Sequence, residues 1–444
     1  MAKKYLIGDF LKRIKRPIEL NANEDYRLVT IRMNHNGVVL RGTKKGHEIK
    51  SKMYEVKEGD FILSGIDARN GAFGIIPKEL DGAIVTNDFW YFDIDEEIIS
   101  KRLFLELTAT TWFDDICTRG SDGTTQRIRL QKDKFFNQSI LLPEGDDQKI
   151  LLNKILSYKT TTDSLKVEID KQKKLITQLK QSIFQEAIEG KLTEDWRNKN
   201  PEIESARELL DRIKTVKAQL IKKKKLKKEK LLPPISEEEI PFDLPKGWVW
   251  CRLGDITEYV QRGKSPKYVE RSSIPVLSQK CVQWERFDFH KARFINESTL
   301  NKYGEERFLR DGDLLWNSTG DGTVGRIIEF INNTGYEKVV VDSHVAIVRL
   351  MNSVIPKFIL SYLSTKQVQD NLIVSGSTKQ TELSKGTVLN HLIPLASEKE
   401  QMIIVEKVSA LMFKCKELKQ EIRRSEANAQ MLMQAVLKEV FEKN

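Results

Sequence analysis

Two stretches of this chain place apolar residues at every seventh position. In residues 144–189 the line runs Ile155, Thr162, Ile169, Ile176 and Ile183, with companions Leu151, Tyr158, Leu165, Gln172 and Leu179. In residues 397–442 it runs Val408, Cys415, Ile422, Ala429 and Val436, with Leu411, Leu418, Ser425 and Leu432 beside it. Apolar a and d positions sustained over about five heptads predict a left-handed coiled coil. At about 1.5 Å rise per residue each helix is a rod of roughly 70 Å, and the partner expected for each rod is the other. Gln172 and Ser425 put polar groups in the seam, a device that fixes register.

Upstream of each rod the pattern changes to short, strand-like runs. Residues 26–31 and 61–63 are expected as strands, residues 84–92 as a longer β-branched and aromatic strand, and residues 96–116 as helix. Glycine and Asp-Gly steps (Gly71, Gly74, Asp81-Gly82, Asp122-Gly123) mark the turns. The same order returns in residues 244–396. Gly8-Asp9-Phe10 matches Gly254-Asp255-Ile256, and Glu58-Gly59-Asp60-Phe61 matches Asp311-Gly312-Asp313-Leu314. Gly71 and Gly74 match Gly322 and Gly325, and residues 84–92 match 340–348.

The rods repeat more strictly than the domains. Gln148-Lys149-Ile150 faces Gln401-Met402-Ile403, and Leu165 to Ile169 faces Leu418 to Ile422, each pair 253 residues apart. No gap interrupts that offset from Asn137 and Asn390 onward. The chain is therefore an internal duplication, expected as a pseudo-two-fold α+β molecule: two strand-rich domains joined by two long helices that form an antiparallel coiled coil. The boundaries read from the pattern are a first domain at 1–143, a rod at 144–192, a linker at 193–243, a second domain at 244–396 and a second rod at 397–444. Within the linker, residues 202–230 are helix-prone and end in Lys222–Lys225, Lys227, Lys228 and Lys230; Pro233, Pro234 and Pro241 then break the helix.

Charge adds a candidate partner. The formal net charge is +10 and the pI about 9.1, which permits an anionic partner, nucleic acid first. Much of the excess is the lysine run, which fits either DNA phosphates or a solvated helix face. The four cysteines, Cys117, Cys251, Cys281 and Cys415, lie far apart, with neither zinc-ligand spacing nor a disulfide framework. They suit a reducing compartment. With an N-terminus too charged for a signal peptide and no long apolar run, the chain is expected to be soluble and cytoplasmic, with no membrane partner.

Catalytic signatures are missing. No P-loop, dinucleotide fingerprint or Asn-Pro-Pro tract occurs, and the five histidines do not cluster at metal-ligand spacing. Asp60 and Asp313 form a repeated carboxylate pair, but each sits in a Gly-Asp step before an apolar strand and reads as a turn residue. No catalytic residue, metal ligand or cofactor is therefore assigned to this chain.

The divergent loops carry side chains suited to DNA. In the first copy these are Arg69, Asn70, Thr124, Thr125, Gln126 and Arg127, with Arg119 and Arg129 nearby. In the second they are Gln261, Arg262, Gln279, Lys280, Ser318, Thr319, Lys379 and Gln380, with Asn317 and Thr378 alongside. Arginine reads guanine edges, asparagine and glutamine read adenine, and lysine and hydroxyl groups hold phosphates.

The order of domain, heptad helix, proline linker, domain and heptad helix resembles the specificity subunit of type I restriction-modification systems. The likeness is carried by Gly190-Lys191-Leu192-Thr193-Glu194-Asp195-Trp196-Arg197 and by Leu244-Pro245-Lys246-Gly247-Trp248, which opens the second domain. Asp311-Gly312-Asp313-Leu314-Leu315, Gly376-Ser377-Thr378 and Ile393-Pro394-Leu395 add to it. The resemblance implies a non-catalytic reader of double-stranded DNA. Each domain would read half of a split, asymmetric target. The rods (Ile155, Leu165, Ile169, Ile176, Leu179, Ile183; Leu411, Leu418, Ile422, Leu432, Val436) would act as ruler and as dock for two methyltransferase subunits. S-adenosylmethionine would then belong to those subunits, and ATP and Mg to the motor-nuclease restriction subunits. A coiled-coil scaffold that does not read DNA, and an unrecognised nuclease or methyltransferase, are the competing classes.

Overall fold

The structure is a computed structural model that describes residues 2–108, 111–123, 128–284, 286–320, 322–372 and 382–442. The chain divides into two compact units, Met1–Lys171 with Ile422–Asn444, and Gln172–Glu421. The long helices run Asp146–Ile188 and Glu398–Glu442, so each unit holds the start of one and the end of the other.

In the first unit four antiparallel strands lie in the order Leu11–Ile14, Phe89–Ile94, Phe61–Ser64, Phe73–Ile75. They cover a phenylalanine core in which rings meet edge to face: Phe61 and Phe104 at 5.0 Å, Phe73 and Phe113 at 4.9 Å. A five-stranded sheet adjoins it, in the order Pro17–Ile18, Met53–Glu55, Ile84–Val85, Asp25–Ile31, Val38–Lys45. The second unit repeats the four-stranded sheet as Thr257–Arg262, Val345–Leu350, Leu314–Asn317, Ile327–Glu329. Its neighbouring sheet carries a parallel pair, Val276 on Val340, where the first copy pairs Leu28 with Ile84.

Two sequence expectations change. Residues 84–92 are not one strand but Ile84–Val85 and Phe89–Ile94, which belong to different sheets. The second copy splits in the same place, into Val340–Val341 and Val345–Leu350. The cause is a polar turn inside the apolar run. Phe89 N–H donates to the Thr86 carbonyl at 3.1 Å, and His344 N–H donates to the Asp342 carboxylate at 2.9 Å. Residues 96–116, expected as one helix, contain Lys101–Thr108 and the helix beginning at Thr111, after a turn in which Ile98 and Ile99 donate to the Asp95 carbonyl.

Within the spans read as rods, 144–192 and 397–444, the helices run Asp146–Ile188 and Glu398–Glu442, and their buried faces are narrower than a full heptad seam. Ile155, Thr162, Ile169 and Ile183 are buried, as are Val408, Cys415, Ile422 and Ala429; Ile176 and Leu411 are half-buried. The companion positions are open: Leu165 is 37 % exposed, Leu179 45 % and Leu418 49 %. The Leu432 and Val436 side chains lie outside the described residues. A helix that meets a single neighbour buries one narrow stripe, so one seventh-position line is covered and its companion faces outward. Leu151 is buried because the core of the first domain reaches it. In the second unit Ile183, Ala187 and Ile188 share a core with Ile404, Val408 and Cys415. The Lys407 ammonium donates to the Leu192 carbonyl at 2.6 Å, so the end of the first helix meets the start of the second, antiparallel.

Each rod leaves its domain through a glutamine bracket. Gln148 donates to the carbonyls of Ile98 (2.7 Å) and Pro143 (2.9 Å) and accepts from Ser100 N–H at 3.2 Å. Gln401, its counterpart, donates to the Ala396 carbonyl and accepts from Ile355 N–H, both at 2.9 Å. The adjacent Glu400 is 3 % exposed and accepts from Thr193 (2.7 Å), Arg197 (2.6 Å) and the Trp248 indole (2.8 Å). Gly190 closes the first rod with φ +68°, where a Cβ would fall 2.6 Å from Pro245.

The linker helix is Ala206–Lys222, opened by a Ser205–Glu208 capping box. It stops at Lys222, the first lysine of the run, contrary to the expected 202–230, and Lys224 is left-handed at φ 58°. Like charges at helical spacing oppose extending the helix through Lys222–Lys228. Beyond it, the buried Arg252 donates to the carbonyls of Pro233 (2.8 Å), Pro234 (3.0 Å) and Asn390 (2.8 Å) and pairs with Glu239 at 3.0 Å.

Candidate nucleic-acid interface

One edge of the four-stranded sheet is built alike in both domains. Gly65 N–H donates to the Asp88 carbonyl at 2.8 Å, and Ser318 N–H to the His344 carbonyl at 2.9 Å. The Gly65 carbonyl accepts from Leu130 N–H, and the Ser318 carbonyl from Leu383 N–H, each at 2.7 Å. Residues 65 and 318, and 130 and 383, keep the offset of 253. An arginine on the first strand completes the edge: Arg13 donates to the Asn87 carbonyl at 2.8 Å and Arg262 to the Ser343 carbonyl at 2.7 Å. Strand end, turn and returning segment are thus fastened by equivalent bonds, and the strict register begins upstream of Asn137 and Asn390.

The side chains on this shared frame differ. In the second domain Arg262 is paired with Glu382, and Thr319 shares a 2.6 Å hydrogen bond with His344 Nδ1. Asn317 donates to the Gln279 carbonyl at 3.1 Å, and Arg326 donates to Gln283 at 2.8 Å. In the first domain Arg129 pairs with Asp88 at 3.1 Å, and Arg13 lies 4.7 Å over the Trp90 ring. Arg69 and Asn70 occupy the turn Ala68–Asn70 after the strand that ends at Ser64. Of the nine buried side-chain polar atoms without a partner among the described residues, five lie here: Arg13 Nε, Arg69 Nη1, Gln279 Oε1, Asn317 Oδ1 and Arg326 Nε.

The structure brings Arg262, Thr319 and Gln279 together, with exposed Lys280 beside them and half-buried Gln261 preceding Arg262 on the strand. Ser318 is a correction. It is fully buried and its hydroxyl donates to the His344 carbonyl at 3.0 Å, so it holds the frame rather than facing a ligand. Thr124, Thr125, Gln126, Arg127, Lys379 and Gln380 lie outside the described residues. Arg119 donates to Gln138 at 3.0 Å. Sequence reading missed Arg13, Asp88, His344 and Glu382. Carrying the 253 offset back past Asn137 would have aligned Arg129 with Glu382 and exposed the contrast.

Asp60 and Asp313 are turn residues with a further task. Each caps its turn, accepting from Lys57 N–H and Arg310 N–H at 2.8 Å, and each holds an arginine, Arg16 at 2.6 Å and Arg349 at 2.7 Å. Near the second edge, burial raises the Asp342 carboxyl above its usual range, opposed by the His344 N–H it accepts. Among the described residues no group of three or more His, Cys, Asp or Glu side chains has metal-binding geometry, and no helix is long and apolar enough to cross a membrane.

Residues 245–425 match the type I restriction modification DNA specificity domain, and the chain is similar to type I specificity subunits. It is 29 % identical over 259 residues to the EcoEI specificity subunit of Escherichia coli, covering 56 % of this chain and 43 % of that protein. To the EcoAI specificity subunit of Escherichia coli it is 29 % identical over 263 residues, 55 % of this chain and 41 % of the relative. The chain thus spans less than half the length of these two relatives. In fold it is similar to a chain from a study of "complex assembly and conformational transition of the type I R-M system", with TM-score 0.62, 18 % identity and coverage of 99 % and 97 % of the two chains. It is also similar to the HsdS subunit from Thermoanaerobacter tengcongensis, with TM-score 0.50, 16 % identity and coverage of 99 % and 96 %.

Proposed function

We propose that this chain reads DNA for a type I restriction-modification complex without itself catalysing a reaction. Each domain recognises one half of a split target through the sheet edge described above, and the rods set the gap between the halves. The observation that carries this reading is the shared edge: equivalent backbone bonds in both domains, with Arg129 and Asp88 on one and Arg262, Glu382 and His344 on the other. One frame with two chemistries is what two unlike half-sites require.

The rods supply the second part. Leu165 and Leu418, 253 residues apart, are 37 % and 49 % exposed. Apolar side chains left open on the repeated portion suit two equivalent protein partners, methyltransferase subunits, with motor-nuclease subunits completing the assembly. S-adenosylmethionine, ATP and Mg belong to those partners in this scheme.

The test is long-read methylation mapping of DNA exposed to the chain together with its methyltransferase partner. A single bipartite motif with a fixed gap is expected. A complex that binds DNA without salt dependence or sequence preference would make the chain a scaffold.

A further inference from the structure

We infer that each domain reads one G·C base pair through an arginine–carboxylate pair on the shared edge, and that the pair is mounted in opposite senses on the two frames. The inference rests on the reading of the chain as a DNA specificity subunit. Position 129 in the first domain and position 382 in the second are equivalent by the 253 offset and by the Leu130 and Leu383 backbone bonds next to them. One is arginine and the other glutamate. Each finds its opposite charge on the fixed part of the edge: Arg129 on Asp88 in the turn, Glu382 on Arg262 in the first strand.

Both pairs are open to solvent. Arg129 and Asp88 are 55 % and 50 % exposed, Arg262 and Glu382 26 % and 46 %. In the major groove guanine offers O6 and N7 as acceptors, and its cytosine offers the N4 amine as donor. A guanidinium beside a carboxylate presents the complement of that pattern, while thymine places its O4, an acceptor, where the carboxylate would need a donor. Within the free protein the two charges satisfy each other, so the edge attracts phosphate weakly and gains most from a base pair that engages both. The returning segment carries the arginine in the first domain and the carboxylate in the second. In each domain's own frame, that segment therefore lies over guanine in the first and over cytosine in the second.

The test uses the full chain with its methyltransferase partner and a library of randomised duplex DNA, comparing retained sequences for the unaltered chain, Arg129→Gln and Glu382→Gln. All four side chains are partly exposed, so the variants keep the fold, as circular dichroism would verify. Arg129→Gln is expected to relax a guanine in one half-site by roughly tenfold or more, and Glu382→Gln to relax a cytosine in the other, each leaving the opposite half unchanged. If the unaltered chain retains no bipartite sequence, the specificity reading falls and this inference with it. If it does, but both variants keep every base preference, or lose all sequences equally as phosphate contacts would, this inference alone is overturned.

Discussion

Arg349 and Asp313 form a buried two-pronged ion pair, Nε to one carboxylate oxygen and Nη2 to the other, each at 2.7 Å. The first domain builds the same trio of arginine, carboxylate and tyrosine from exchanged strands. There Arg16 follows the first strand and lies 5.2 Å over Tyr91 of the neighbouring strand; in the second domain Arg349 is on that neighbour and lies 5.5 Å over Tyr259 of the first strand. Arg349 and Asp313 are 7 % and 1 % exposed, against 26 % and 10 % for Arg16 and Asp60. Asp313→Asn should therefore strand a buried charge and cost about 3–5 kcal/mol. Asp60→Asn should cost about 1–2 kcal/mol, because solvent reaches Arg16. Urea unfolding of both variants measures the difference, and equal losses would contradict it.

The glutamine brackets fix the first turn of each rod to its domain. Gln401→Ala leaves the Ile355 N–H and the Ala396 carbonyl without their side-chain partner, an expected loss of about 1–3 kcal/mol felt first at the helix start. Hydrogen exchange should report faster opening over residues 398–404, with strands such as Val345–Leu350 unaffected.

Inserting one heptad into both rods keeps the buried seventh-position line intact and lengthens each by about 10 Å, roughly three base pairs of DNA. The mapped motif should keep both half-sites and widen its gap. A changed half-site sequence would remove the rods from the role of ruler.

His391 is buried against the Trp316 and Tyr362 rings, and desolvation lowers its pKa from 6.5 to about 4. Its folded pKa lies below the unfolded one, so the unfolded chain takes up the proton first and stability falls as pH drops from about 6.5 toward 4. The loss attributable to this side chain is up to about 3 kcal/mol. His391→Gln, which installs the residue that stands at Gln138 in the first copy, should flatten the stability profile over that window; thermal melts between pH 4 and 7 measure it.

The rods were legible because a period of seven is written in residue types alone. Their exposed companions were not, because apolar character at Leu165 or Leu418 does not say which face meets a neighbour. The places of several strands along the chain were readable, yet the split after Val85 depended on weighing Asn87-Asp88 above the β-branched residues around them. The ion pairs of Asp60 and Asp313 lay beyond sequence reading, since their arginines are 44 and 36 residues away and come from different strands. At the repeated sheet edge Arg129 and Arg262 were legible in the sequence, but Arg13 and the carboxylates Asp88 and Glu382 that pair with the other two were not.

Arg252 has a practical consequence for anyone exchanging the second domain between relatives. Its guanidinium ties Pro233, Pro234 and Glu239 to Asn390, while Leu232 packs under Gly254, where a Cβ would fall 2.7 Å from its Cδ1. A graft that begins at residue 244 would inherit the arginine and leave its tether behind. A graft that begins before Leu232 keeps the proline stretch and Glu239 with Arg252, as a seal that belongs to the second domain.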